Sequence, residues 1–127
     1  MKVLTIKQPW ASLIMGGYKR FEFRSWRTNY RGELLIHAGK SLNKEEALKL
    51  KKYLPEEIPM GKILGKVNIV DCVKCDENFK NMCLEENKDV YAKSTFEETY
   101  AWQIDDVESF EKPIEINGKL GLWNYDM

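Results

Sequence analysis

GYKRFEFRSWRTNYRGELLIHAG, residues 17–39, contains two strand signals of different kinds. Phe21-Glu22-Phe23-Arg24 alternates apolar and charged side chains, the pattern of a strand with one face buried. Glu33–Ala38 is a near-continuous apolar run bounded by Gly32 and Gly39, and reads as a buried strand. Upstream, Val3–Ile6 reads as a short strand. Pro9 then starts a helix that carries Leu13 and Ile14 and stops at Gly16-Gly17. Downstream, Asn43 caps a second helix, with Glu46 three residues on, apolar residues Ala47, Leu48 and Leu50, and a stop at Pro55 and Pro59. Ile63–Val73 is a long strand interrupted at Gly65, where a bend or bulge is expected. The acidic segment 76–99 carries Phe79, Met82, Cys83 and Leu84 at the spacing of a short helix, and Tyr100–Val107 returns to strand character. Ile114–Ile116, Asn117-Gly118 and Lys119–Tyr125 spell a hairpin with a type I′ turn.

The sum is about six short strands with two or three peripheral helices. In a chain of 127 residues this favours an α+β fold built on a small β-barrel, because a flat open sheet would leave unprotected edges. The length suits one domain, residues 1–127. No run approaches the ~20 apolar residues that cross a bilayer, so no membrane association is expected. Three cysteines, an odd number, argue against a disulfide framework and for a cytoplasmic location.

Charge is segregated within a chain of zero net charge. Residues 1–40 carry eight basic side chains (Lys2, Lys7, Lys19, Arg20, Arg24, Arg27, Arg31, Lys40) and two acidic ones (Glu22, Glu33), and all four arginines lie between Arg20 and Arg31. One anion-attracting face on an acidic body follows. If Phe21 and Phe23 enter the core, Glu22 and Arg24 share the opposite face, with Lys19 at the strand entrance. A carboxylate flanked by two cations tolerates burial at the foot of a cleft and is suited to a polar planar ligand. The same alternation is also what a solvated strand face with an incidental ion pair displays. Trp10, Trp26 and Tyr30 lie among these basic residues, and stacking platforms beside cations are what single-stranded nucleic acid needs.

Four ordered motifs, Lys7-Gln8-Pro9-Trp10-Ala11, Gly17 to Arg24, Trp26 to Gly32 and Leu35-Ile36-His37-Ala38, together with Pro113 and the Gly121-Leu122-Trp123 ending, resemble the signature of the ASCH (activating signal cointegrator homology) domain. The resemblance spans essentially the whole chain and implies a PUA-like β-barrel. It also implies a nucleic-acid or nucleotide site beside the K-x-x-E-x-R strand. Carried over by position, Lys19, Glu22 and Arg24 lie in that cleft, with Lys7, Gln8, Trp10, Trp26, Thr28, Tyr30 and Arg31 as its walls and Trp102 joining from a later strand.

The expected function is therefore a module that binds single-stranded RNA or an extruded, modified nucleobase, with no cofactor. One branch of the family is an amidohydrolase on N4-acylated cytidine, with a lysine at the first motif position and a threonine at the fourth. Here Lys19 is present but Glu22 replaces the threonine, and a carboxylate is the poorer nucleophile for an amide. As alternatives, Lys19 and Glu22 become catalytic in an amidohydrolase or a ribonuclease. A protein partner docking on segment 76–99 is a third reading. Cys72-x-x-Cys75 with Cys83 and the single His37 is too loosely spaced for a zinc site, so no metal is expected and His37 reads as a core histidine.

Overall fold

The long run at the centre of the sequence becomes the centre of the sheet. The computed structural model describes residues 1–92 and 99–127. Six strands, β1 (Lys2–Gln8), β2 (Phe21–Arg24), β3 (Gly32–Leu42), β4 (Lys62–Lys74), β5 (Tyr100–Glu115) and β6 (Leu122–Asn124), form one sheet in the order β2-β5-β4-β3-β1-β6. β1 and β3 pair in parallel, Val3 opposite Leu35 and Ile6 opposite Ala38; the other pairings are antiparallel. Among the described residues β2 and β6 are not paired with each other, so the α+β sheet curls towards a barrel without closing.

The middle of β3, Leu34 to Ile36, is apolar at successive positions because both faces of the strand are covered there. Leu34, Ile36 and Ala38 pack with Leu4, Ile6, Ile69 and Trp102 on one side. Leu35 packs with Val3, Ile63 and Trp123 on the other. A third cluster joins Leu13, Phe21, Tyr91, Cys75 and Cys83 at the β2 end of the sheet. All three cysteines are free and buried, as a chain without a disulfide framework requires.

Four α-helices occur among the described residues, against the two or three expected: α1 (Trp10–Met15), α2 (Lys44–Lys49), α3 (Glu77–Glu86) and α4 (Lys88–Tyr91). Pro9 precedes α1 at the cap position. Asn43 caps α2 as expected, its side chain accepting from the Glu46 amide at 3.1 Å. The inward stripe of α2 differs from expectation. Glu46 and Leu50, four apart and so on one face, are buried, whereas Leu48 is 76% exposed on the other side. The helix expected within 76–99 is two short ones, capped by Asp76 and Asn87. Residues 93–98 of that segment lie outside the described residues. None of the helices among them is long and apolar enough to cross a membrane.

The expected hairpin at 114–125 does not form. β5 extends to Glu115 along β4, with shifts of register on the way, and β6 instead crosses to pair with β1, Val3 opposite Trp123. Gly118 serves close packing here and not a turn: a Cβ there would lie 2.7 Å from Thr5 Oγ1 and 2.8 Å from His37 Cε1. The irregularity at Gly65 is present as a register shift in both ladders that β4 makes. Its physical reason is crowding, since a Cβ at Gly65 would sit 2.2 Å from the Glu108 carbonyl oxygen and 2.5 Å from Met15 Cε. Replacing Gly65 with alanine is expected to cost about 1–3 kcal/mol through backbone displacement, measured as a lower urea midpoint at unchanged slope.

Candidate functional site

The seam where the sheet fails to close holds the site. Gly17, with φ at +82°, ends α1 in the left-handed region that favours glycine. The amides of Tyr18 and Lys19 both donate to the Leu13 carbonyl, at 3.0 and 3.1 Å, and this tight exit directs Lys19 inward. β2 then alternates as the sequence dictates. Phe21 packs edge-on against Phe79 at 4.9 Å and Phe23 faces Tyr91 at 6.1 Å, while Glu22 and Arg24 point the other way.

The Lys19 ammonium donates to the Phe21 carbonyl at 2.7 Å and to Glu22 Oε1 at 3.2 Å, and stands 5.0 Å from the centre of the Phe23 ring. Glu22 Oε2 accepts from Arg24 Nε at 3.1 Å. Arg24 Nη2 reaches across the seam and donates to the Thr5 carbonyl at 2.8 Å, joining β2 to β1. Lys19 and Glu22 are both buried; Arg24 is partly open to the cleft. Burial pushes the Lys19 ammonium below its ordinary pKa, and the neighbouring Glu22 carboxylate pulls it back up.

This trio forms the floor of a cleft of about 640 Å³. Thr5, Ile6 and Lys7 of β1, Ser25, Gly39, Lys40 and Ser41 of β3 and its end, Thr99, and Lys119-Leu120-Gly121 complete its lining, with Trp10 and Phe23 supplying rings. Among the described residues the lining carries five cations (Lys7, Lys19, Arg24, Lys40, Lys119) and one carboxylate, Glu22. Charge segregated in the sequence is thus concentrated in one hollow, where low-dielectric walls strengthen its field.

Of the residues expected here, Lys7, Trp10, Lys19, Glu22 and Arg24 come together. The others do not line the cleft. Gln8 is fully buried and bonds Ser12 and the Pro59 carbonyl. Trp102 is fully buried, its ring edge-on to Trp26 at 4.7 Å and its Nε1 donating to the Trp26 carbonyl at 3.4 Å. Thr28 is buried and its hydroxyl accepts from the Tyr30 amide at 3.0 Å. The Tyr30 hydroxyl bonds the Glu33 carbonyl, and Arg31 donates to the carbonyls of Thr28 and Tyr30. Thr28, Tyr30, Arg31, Trp26 and Trp102 stabilise the β2–β3 connection and the core beneath it, and Gln8 ties the start of α1 to the segment before β4. Lys40, Ser41 and Lys119 are the residues that sequence reasoning missed. Lys40 was visible only as part of the charge bias, and Lys119 was hidden by the hairpin that does not form.

His37 is buried with both ring nitrogens bonded, to Thr5 Oγ1 at 3.1 Å and to the Ile116 carbonyl at 2.7 Å. A carbonyl only accepts, so Nε2 carries a hydrogen and donates to Ile116, while Nδ1 lies within hydrogen-bond distance of the Thr5 hydroxyl. Trp123 Nε1 donates to the same hydroxyl oxygen at 3.1 Å. Burial raises the Cys83 thiol to about 11 and lifts Cys75 above its ordinary value, so both stay protonated at neutral pH. Among the described residues no group of three or more His, Cys, Asp and Glu is placed to hold a metal ion.

The chain is thus an α+β domain with an open six-stranded sheet and a cationic cleft at its seam. The ASCH domain matches residues 4–114, and the chain belongs to that family. It is 30% identical over 134 residues to human activating signal cointegrator 1, covering 97% of this chain and 22% of that protein. It is 40% identical over 81 residues to the mouse protein, covering 55% and 14% respectively. The chain therefore spans less than a quarter of the length of these curated relatives. The crystal structure of an ASCH protein from Zymomonas mobilis superposes with a TM-score of 0.58 at 16% identity, over 90% of this chain and 72% of that one. A mutant of the Zymomonas protein gives 0.54 at 17% identity, over 91% and 73%. This likeness establishes the fold.

Removing the carboxylate tests the floor. Glu22→Ala leaves the buried Lys19 charge without its partner, an expected loss of about 3–5 kcal/mol at neutral pH. Without Glu22 the native Lys19 pKa falls further below the unfolded 10.5. The unfolded chain then binds more protons, and the deficit shrinks as pH rises towards 10.5. Urea unfolding of the variant at neutral and alkaline pH measures both effects.

Proposed function

We propose that this ASCH domain binds single-stranded RNA by taking one nucleobase, plain or modified, into the cleft. The observation that carries the reading is the buried Glu22 carboxylate held between Lys19 and Arg24 at the floor of a hollow rimmed by Lys7, Lys40 and Lys119. Glu22 accepts from amino or imino groups on a base edge, and Arg24 donates to ring nitrogens or carbonyls. The rim lysines are point charges for the backbone on either side, and Trp10 offers an apolar wall. Unpaired RNA is the form whose base edges are free to enter such a hollow. The free, buried thiols accord with a cytoplasmic setting.

The alternative, hydrolysis of an acylated cytidine or of RNA by Lys19 and Glu22, uses the same residues. Binding is favoured because both Glu22 oxygens already accept from cations and the Lys19 ammonium is tied to two acceptors. That is an arrangement for holding a surface of donors and acceptors still, and it leaves neither group poised to attack.

Fluorescence anisotropy with a labelled single-stranded RNA at low salt tests the reading. Arg24→Ala is expected to weaken binding about tenfold or more, the loss of one good base contact. Lys7→Ala, Lys40→Ala and Lys119→Ala are each expected to weaken binding modestly and to reduce the log–log salt slope by about 0.7. Affinity and slope unchanged in all four variants would exclude the cleft as the RNA site.

A further inference from the structure

Leu120 is 98% exposed, the most exposed of the large apolar side chains among the described residues. A leucine so placed contributes nothing to the core. Its position is nevertheless firmly set. Segment 117–121 is anchored at one end by the bond from His37 Nε2 to the Ile116 carbonyl, and at the other by Trp123, which donates to the Thr5 hydroxyl that His37 also holds. Gly118 fits against Thr5 and His37 where no Cβ fits, and Gly121 turns the chain back with φ at +64°. What projects between these anchors is Lys119-Leu120.

Two hollows meet at this projection. One is the cleft. The other is an adjoining recess of about 390 Å³ behind Gly118 and His37. Thr5, Gly39, Lys40, Lys119 and Leu120 line both. Lys40 is held at the shared rim by Asn117 Oδ1, at 3.2 Å, and Lys119 is kept beside it over the Trp123 ring, 5.9 Å from its centre. The residues common to both hollows thus include one large apolar side chain, Leu120, and two cations, Lys40 and Lys119.

We infer that Leu120 is a wedge that separates the base held in the cleft from the next base along the strand. The phosphate joining the two nucleotides then lies against Lys40 and Lys119, and the second nucleotide occupies the recess. This rests on the cleft being a nucleotide site, and it specifies the ligand further: an unpaired step of at least two nucleotides and not a free nucleoside. Apolar side chains inserted between base steps are a general means of unstacking nucleic acid, and flanking cations offset the phosphate charge brought close by the bend.

A short single-stranded RNA carrying one 2-aminopurine reports unstacking as a rise in fluorescence. The wild-type chain is expected to bind it with a several-fold rise. Leu120→Ala, which removes only exposed atoms, is expected to weaken that RNA about tenfold and abolish most of the rise, a loss several-fold larger than the one it causes for 2-aminopurine ribonucleoside monophosphate, which spans no base step. Leu120→Phe is expected to restore both RNA readouts. If Leu120→Ala binds the RNA as the wild type does with the same rise, the wedge is refuted and the cleft reading stands. Equal losses of RNA and monophosphate affinity in Leu120→Ala also refute it, because Leu120 then acts only on the nucleotide in the cleft. If the wild type binds neither probe, or Arg24→Ala binds both unchanged, the cleft reading itself fails and the wedge with it.

Discussion

The contact on which the rest of the structure depends is the one Arg24 makes across the seam. Its guanidinium holds Glu22 on its own strand and the Thr5 carbonyl on β1, so one side chain both completes the floor of the cleft and ties together two parts of the sheet that do not pair. Arginine suits the task because its planar fork offers several donors in fixed directions. Glu22 makes the burial of Lys19 tolerable, and Lys19 in turn fastens the exit of α1 through the Phe21 carbonyl. The chemistry of the cleft and the integrity of the seam are consequently not separable: an exposed ion pair would contribute little, but this one is mostly desolvated and shares its bonds with the backbone.

The elements that were legible in the sequence are those whose pattern is local. The alternation in Phe21–Arg24, the apolar run at Glu33–Ala38 and the Asn43 cap all appear where residue order places them, because strand pleat and helix capping act over two to four residues. The trio Lys19, Glu22 and Arg24 was legible for the same reason, since all three lie within six positions. What was not legible depends on pairing across the chain. Asn117-Gly118 has the composition of a tight turn, yet β4 is long enough to keep β5 extended through Glu115, and the following segment is drawn to the free edge of β1. Lys119 reaches the cleft through that pairing, and Lys40 reaches it because β3 lies parallel to β1. The aromatics divided in the same way. Trp10 stands at the cleft, whereas Trp102, with an equally suggestive position in the motif order, fills the core.

The relay through His37 shows how a buried polar group can specify geometry. Thr5, His37, Trp123 and the Ile116 carbonyl satisfy one another in an otherwise apolar layer, and a network in which every member is bonded is rigid where a partly satisfied one would be costly. The layer fixes the path of the C-terminal segment past the cleft, so a side chain distant in sequence from the motif comes to stand at its rim.

A curled sheet that stops short of meeting itself retains two raw margins, each able in principle to recruit a strand from a neighbouring molecule. At the seam of this protein the margin is occupied by a guanidinium already bonded to the main chain and is overlooked by several ammonium groups. Two copies approaching margin to margin would bring like charges together before any ladder could form. The same residues that gather positive charge in the hollow thereby oppose association margin to margin, and a variant stripped of these charges would lose that repulsion.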